Sequence, residues 1–131
     1  DGGFQMTNAE LSTAAQEGIK VNVAVINNGY LGMVRQWQEF FYNRRYSGTP
    51  MRSPDFVKLA DAHGVTGFRV TSRGEVENAI RRAEETEGTV VIDFRVEPED
   101  SVYPMVPAGA ALDAMIRRPQ PTVPDLEFDE I

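Results

Sequence analysis

Residues 21–26 read VNVAVI, and residues 89–96 read TVVIDFRV. Both runs are short, β-branched and mostly apolar, which predicts strands buried on both faces of a parallel sheet. Residues 67–71, GFRVT, form a third candidate strand. Helical patterns lie between them. Thr7 and Glu10 have capping-box spacing ahead of Leu11, Ala14 and Ala15, with Gly18 placed to end that helix. Asn27-Asn28-Gly29 breaks the first strand, and Met33, Trp37 and Phe41 then recur at helical spacing. Ser53-Pro54-Asp55 predicts a helix start with a hydroxyl cap, proline in the first turn and an acid beside it. Phe56, Leu59, Ala60 and His63 share the next face, and Gly64 stops it. Ser72 and Glu75 form a second capping-box pair, before Val76, Ala79, Ile80 and Ala83, and Gly88 closes that helix. Strands alternating with helices predict an α/β fold, a parallel sheet flanked by helices, with ligands at the carboxyl ends of the strands.

Beyond Glu97 come Pro98, Pro104 and Pro107, and a short Ala-rich helix is predicted near residues 110–117. Residues 119–131 are Pro-rich and acidic. The expected organisation is a domain over residues 1–118 followed by that tail. The 131 residues carry a formal net charge of −7, unevenly placed. Residues 1–65 hold six acids and six bases, so the excess falls later, in residues 97–100 and in the tail. No basic face is left for nucleic acid or an anionic membrane. No run is long enough for a membrane span and no signal pattern opens the chain, so a soluble, cytosolic protein is expected. The absence of cysteine excludes disulfides, thiolate metal sites and a cysteine nucleophile, and His63 is the one histidine. The chain opens on Asp1-Gly2-Gly3-Phe4 without an initiator methionine or a leading strand, as a piece of a longer protein would.

The residues able to carry chemistry are Asp1-Gly2 and Asn27-Asn28. Twenty-four residues separate Gly2 from Asn27, enough for one helix and one strand, so a parallel sheet would return both segments to one edge. A carboxylate and an amide oxygen are hard ligands. With a backbone carbonyl and phosphate oxygens they could complete an octahedral Mg²⁺ site. Gly2 and Gly3 permit close approach of a phosphate, and Gly29 and Gly32 precede a helix whose N-terminus favours an anion. On residue chemistry alone, Asn-Asn-Gly reads first as a plain strand-end turn.

The spacing resembles the thiamine diphosphate fingerprint: Gly-Asp-Gly, 24 to 27 residues, then Asn-Asn. The first glycine would fall just before Asp1. Residues 1–7 (DGGFQMT), 27–46 (NNGYLGMVRQWQEFFYNRRY), 54–64 (PDFVKLADAHG) and 103–109 (YPMVPAG) resemble, in order, the large catalytic subunit of acetolactate synthase, or acetohydroxyacid synthase. The likeness covers residues 1 to about 118.

That resemblance implies the C-terminal thiamine diphosphate-binding domain, N-terminally incomplete. The family decarboxylates pyruvate and condenses the enamine with a second 2-ketoacid, giving acetolactate or acetohydroxybutyrate for branched-chain amino-acid synthesis. It implies Asp1, Asn28 and the Tyr30 carbonyl as Mg²⁺ ligands. Gly2, Gly3, Asn28, Gly29, Tyr30, Leu31, Gly32 and Met33 would bind thiamine diphosphate, and Met33, Trp37 and Ala108 would line the substrate pocket. At Ala108 the family often has Ser or Gly. No catalytic residue is expected in this segment, because the family's activating Glu belongs to another domain of a partner subunit. The segment alone is therefore expected to be inactive. FAD bound elsewhere, a homodimer or tetramer, a regulatory small subunit and a cytoplasmic location complete the implication. Another thiamine diphosphate carboligase or oxidase, or a non-catalytic α/β binding module, remain the alternatives.

Several residues also have plainer readings. Met33, Trp37 and Phe41 at helical spacing form, by pattern alone, a core stripe. The resemblance moves Met33 and Trp37 to the pocket and leaves Phe41 as packing. His63 reads as a structural residue near a helix end. Glu10, Glu17 and Glu39 read as solvated, and Arg81-Arg82 with Glu84-Glu85 as a salt-bridged exposed face.

Overall fold

The computed structural model describes residues 1–119; the acidic tail, apart from Pro119, lies outside the described residues. Contacts divide the chain into two compact units, Asp1–Asp100 and one beginning at Ser101. In the first, α1 (Gly2–Gln5) and α2 (Glu10–Gln16) lead to β1 (Asn22–Asn27), then α3 (Gly32–Phe41) and α4 (Phe56–Ala62). There follow β2 (Thr66–Val70), a 3-10 turn (Arg73–Glu75), α5 (Val76–Glu85) and β3 (Val90–Arg95). The strands form a parallel sheet in the order β1-β3-β2, the α/β class expected from the alternation of elements. The register sets Asn27 opposite Arg95 and Arg69 opposite Asp93, so the carboxyl ends of all three strands share one edge.

Each face of the sheet has its own core. On one, Val25 and Val91 pack with Leu11, Phe56, Ala60 and Val65. On the other, Val90, Ile92, Phe68 and Val70 pack with Ala79 and Ala83 of α5. β2 and α4 meet at Gly67, where a Cβ would lie 2.8 Å from Ala60 Cβ and 3.1 Å from the Val57 backbone. β1 departs from the expected double burial: Asn22, Ala24 and Ile26 are exposed. β1 is the edge strand of this sheet, and α5 packs over β2 and β3.

Two predicted helix starts are built differently. Residues 6–9 run on from α1 as turns, and Ala9 at the N-cap of α2 is already helical, so Thr7 and Glu10 form no capping box. A cap needs extended backbone there. The cap of α4 is Asp55, whose Oδ1 accepts from the Val57 and Lys58 amides, instead of Ser53. The Ser72–Glu75 box forms as predicted, opening the 3-10 turn ahead of α5. On α5, Arg81 pairs with Glu77 at 2.7 Å, and the Arg82 guanidinium lies over the Phe68 ring, so neither makes the expected pair with Glu84 or Glu85. A one-turn offset brings Glu77 and Arg81 onto the same helix face.

In the second unit, residues 110–117 hold one 3-10 turn, Leu112–Ala114, where a helix was predicted. Ile116 instead pairs with Met105, their amides and carbonyls bonding at 2.7 and 2.9 Å. With those groups committed and Leu112 exposed, no apolar face is buried to support a helix.

Candidate functional site

Asp1, Asn27 and Asn28 meet at the carboxyl end of β1. The Asp1 nitrogen donates to the Ile26 carbonyl at 2.9 Å, which holds Asp1 beside the penultimate residue of that strand. Asp1 Oδ2 accepts from Ser53 Oγ at 2.9 Å, and Ser53 in turn accepts from Gln5 Nε2 at 3.2 Å. Ser53 thus orients the Asp1 carboxylate instead of capping a helix. Gly29 turns the chain with φ +72, and Asn28 Oδ1 accepts from the Tyr30 amide at 3.2 Å. A Cβ on Gly32 would stand 3.0 Å from Asn28 Nδ2, and one on Gly2 would stand 3.0 Å from both Leu31 and Met51 side chains. Gly3 has open space around it.

Residues 29–31 are clamped by an antiparallel partner. Leu31 N donates to Thr49 O at 2.9 Å and Met51 N to Gly29 O at 2.8 Å, flanking the Tyr30–Pro50 bridge. No side chain caps α3 at Leu31, so the amides of its first turn face the loop without a side-chain acceptor. Those N–H groups and the helix dipole make that end suitable for an anion.

α3 carries its polar residues inward. Arg35 and Gln36 are buried, whereas Met33 is 50% and Trp37 42% exposed. The core-stripe reading of Met33, Trp37 and Phe41 therefore fails. Arg35 accounts for the inversion: it pairs with Glu39 at 3.2 Å and Glu99 at 3.6 Å, and lies over the Tyr30 and Tyr46 rings. Glu39 also meets Arg44 at 3.7 Å, so it is a paired residue and not a solvated one. Gln38 bonds the Ser47 backbone and Thr49 Oγ1. Freed from the core, Met33, Val34 and Trp37 line a surface hollow of about 370 Å³ with Gln38 and Tyr42. Phe41 stacks edge-on against Trp37 with ring centroids 5.5 Å apart. Ala108 is exposed and belongs to the second unit. A larger hollow of about 500 Å³, lined by Phe4, Leu11, Ala14 and Val23 among others, flanks the amino half of β1, away from these groups.

A second polar group, centred on Asp93, has no counterpart in the sequence reading. Asp93 is fully buried, and its Oδ1 accepts from Asn27 Nδ2 at 2.8 Å. Its Oδ2 accepts from Arg69 Nε at 2.9 Å and Arg95 Nε at 3.2 Å. Arg69 extends to Asp55 Oδ1 at 2.9 Å. Burial tends to raise the Asp55 carboxyl, but the Lys58 amide, the Arg69 charge and the Val57 amide outweigh it and hold the group below its ordinary range. Hydrogen bonding to Asp93 raises the Arg69 guanidinium further. Asn27 Oδ1 is buried without a hydrogen-bond partner. The sequence signal was available: an acid inside an apolar strand, TVVIDFRV, between strands that each end near an amide or a base. His63 stands at the C-cap of α4, with its Nδ1 2.7 Å from Ser12 Oγ.

A three-carboxylate or histidine cage does not form among the described residues, so a cation here would rely on Asp1 with amide and carbonyl oxygens. Those are hard ligands suited to Mg²⁺. An open helix start at the carboxyl end of a parallel strand, beside such oxygens, defines a phosphate-binding α/β domain. Residues 1–94 match the family described as thiamine pyrophosphate enzyme, C-terminal TPP binding domain, and the chain belongs to that family. It is 52% identical over 117 residues to the acetolactate synthase large subunit of Corynebacterium glutamicum, covering 85% of this chain and 19% of that protein. It is 42% identical over 116 residues to the mitochondrial acetolactate synthase catalytic subunit of Saccharomyces cerevisiae, covering 88% of this chain and 17% of that protein. The chain thus spans about a fifth of the length of these relatives. Among solved structures, a thiamine diphosphate-dependent 4-hydroxybenzoylformate decarboxylase of Rhodococcus jostii RHA1 superposes with a TM-score of 0.71 at 28% identity, over 77% of this chain and 19% of that one. Among the described residues no helix is long and apolar enough to cross a membrane.

Proposed function

We propose that this chain is the diphosphate- and Mg²⁺-binding part of an acetolactate synthase catalytic subunit. The whole enzyme would decarboxylate pyruvate and join the product to a second 2-ketoacid, giving acetolactate or acetohydroxybutyrate for branched-chain amino-acid synthesis. The observation that carries this reading is the juxtaposition of Asp1 with the end of β1 through the Asp1–Ile26 bond, one residue from Asn27-Asn28 and just before the uncapped start of α3. Relatives named acetolactate synthase, at 42–53% identity, support the choice of reaction.

The bound cofactor would supply a stabilised carbanion, and the protein contributes binding and orientation. Asp1, Asn28 and the Tyr30 carbonyl are the ligands assigned to Mg²⁺, with Ser53 holding one Asp1 oxygen in place. Gly2, Gly3, Asn28, Gly29, Tyr30 and Leu31 are assigned to the cofactor site, and the amides of Gly32 and Met33, at the start of α3, receive the diphosphate, where the helix dipole favours its charge. Met33 and Trp37 present an apolar wall to the 2-ketoacid. The same reading includes residues 1–118 as one functional domain with an acidic tail, FAD bound by another part of the enzyme, an assembly of two or four subunits, a regulatory small subunit, and a cytoplasmic location.

Calorimetric titration of thiamine diphosphate into the full-length protein, with and without Mg²⁺, tests the assignment. Asp1→Ala and Asn28→Ala should each abolish the Mg²⁺-dependent part of the affinity. Unchanged binding would remove these residues from the metal site. Product analysis with pyruvate then separates acetolactate synthesis from another carboligation or from simple decarboxylation.

A further inference from the structure

Asn27 is 3% exposed, yet only half of its amide is used. Asp93 also meets two arginines, so its oxygens accept, and Asn27 must turn its NH₂ towards it. The carbonyl oxygen of Asn27 therefore points away from Asp93 and is left without a partner. A buried acceptor in that state is unfavourable unless a donor or cation meets it. Diphosphate oxygens, which only accept, cannot. The neighbours on either side are Ile26, whose carbonyl holds Asp1, and Asn28.

We propose that Asp93 is a positioning residue for a hydrated divalent cation: by holding Asn27 Nδ2 at 2.8 Å it fixes Asn27 Oδ1 as the acceptor for a water in that cation's shell. Asn27 thus serves beside the assigned ligand Asn28 without being a ligand itself. Arg69 and Arg95 keep the Asp93 carboxylate from turning, so the order of the amide is set from three strands at once. The inference rests on the functional reading above.

The test is an exchange of the two side chains in the full-length protein. In Asp93→Asn, the new amide directs its oxygen to the arginines and its NH₂ to Asn27, which must flip and present a donor where an acceptor stood. The double variant N27D/D93N restores an outward oxygen. Mg²⁺ is titrated calorimetrically in the presence of thiamine diphosphate, Mn²⁺ binding is followed by electron paramagnetic resonance, and folding is followed by circular dichroism. D93N and Asn27→Ala should bind the metal about 10-fold more weakly or worse, and the double variant should recover most of that loss. Wild-type metal affinity in folded D93N or Asn27→Ala overturns the proposal. So does a folded double variant that recovers nothing, or a failure of all three to fold, which would make the network purely structural. If the unaltered protein shows no Mg²⁺-dependent cofactor binding, the functional reading itself fails, a result distinct from all of these.

Discussion

Arg69 on β2 holds the buried carboxylate of Asp93 on β3 through an Nε–Oδ2 contact of 2.9 Å, directly across the register pair. Its other end reaches Asp55, the cap of α4. One side chain therefore ties the strand edge that carries the candidate site to the start of the helix packed beneath it. A buried carboxylate is tolerated only when its lone pairs are taken, and Arg95 supplies the second cation.

Arg69→Met should loosen this edge while leaving the stem packed. Loss of one partner of a fully buried pair costs roughly 3–5 kcal/mol, but Arg69 is partly exposed and Arg95 remains, so about 2 kcal/mol is expected. Amide hydrogen exchange in β3 would read this as faster local opening. Unchanged protection there would show that Arg95 alone suffices.

Gly67→Ala should be more damaging than its size suggests. The added methyl would meet Ala60 Cβ at 2.8 Å and the Val57 backbone at 3.1 Å, and neither is a flexible side-chain tip. Overpacking of this kind costs about 1–3 kcal/mol. The expected outcome is a lower urea midpoint for the unit containing β2 and α4. Gly3→Ala, with open space around its Cβ, should leave that midpoint unchanged.

The contrast shows what could be read from residues alone. VNVAVI and TVVIDFRV gave parallel strands because hydrophobic runs and turn residues are local properties. The return of Asp1 to Asn27 followed from the length between them. Ser53 could not be assigned in this way. Its hydroxyl suits a cap, and only the packing of the preceding loop shows that Asp55 takes the cap while Ser53 reaches Asp1, 52 positions away. α3 misled in the opposite direction, since its apolar spacing is that of a core helix. What turns it over is the buried Arg35, whose ring contacts and ion pair come from Tyr30, Tyr46 and Glu99, beyond the reach of any periodicity.

Glu75 gives a test of linkage between charge and fold. The Thr71 and Ser72 amides donate to its carboxylate at 2.8 and 2.9 Å and hold its pKa below the ordinary value. A group whose folded pKa is depressed contributes stability above its unfolded pKa and loses it as pH falls through the folded value. The difference in melting temperature between the wild type and Glu75→Gln should therefore be largest near neutral pH. It should shrink as acid protonates Glu75, and a constant difference from pH 7 to pH 3 would deny the carboxylate this role.

Trp37 offers the most direct reading of the proposed substrate wall. Its ring is 42% exposed, stacked against Phe41, and lines the hollow beside Met33. Burying a 2-ketoacid's extra methylene there is worth about 0.8 kcal/mol, a few-fold in preference. Trp37→Leu removes the large flat surface without disturbing the inward Arg35 and Gln36. The ratio of acetohydroxybutyrate to acetolactate, formed from mixed 2-ketobutyrate and pyruvate by the full-length protein, should fall by that few-fold factor. Thiamine diphosphate affinity should stay the same, because the diphosphate and metal groups are those of Asp1, Asn28 and the start of α3. A ratio that does not move would take Trp37 out of the pocket, whereas a loss of cofactor affinity would place it against the cofactor instead.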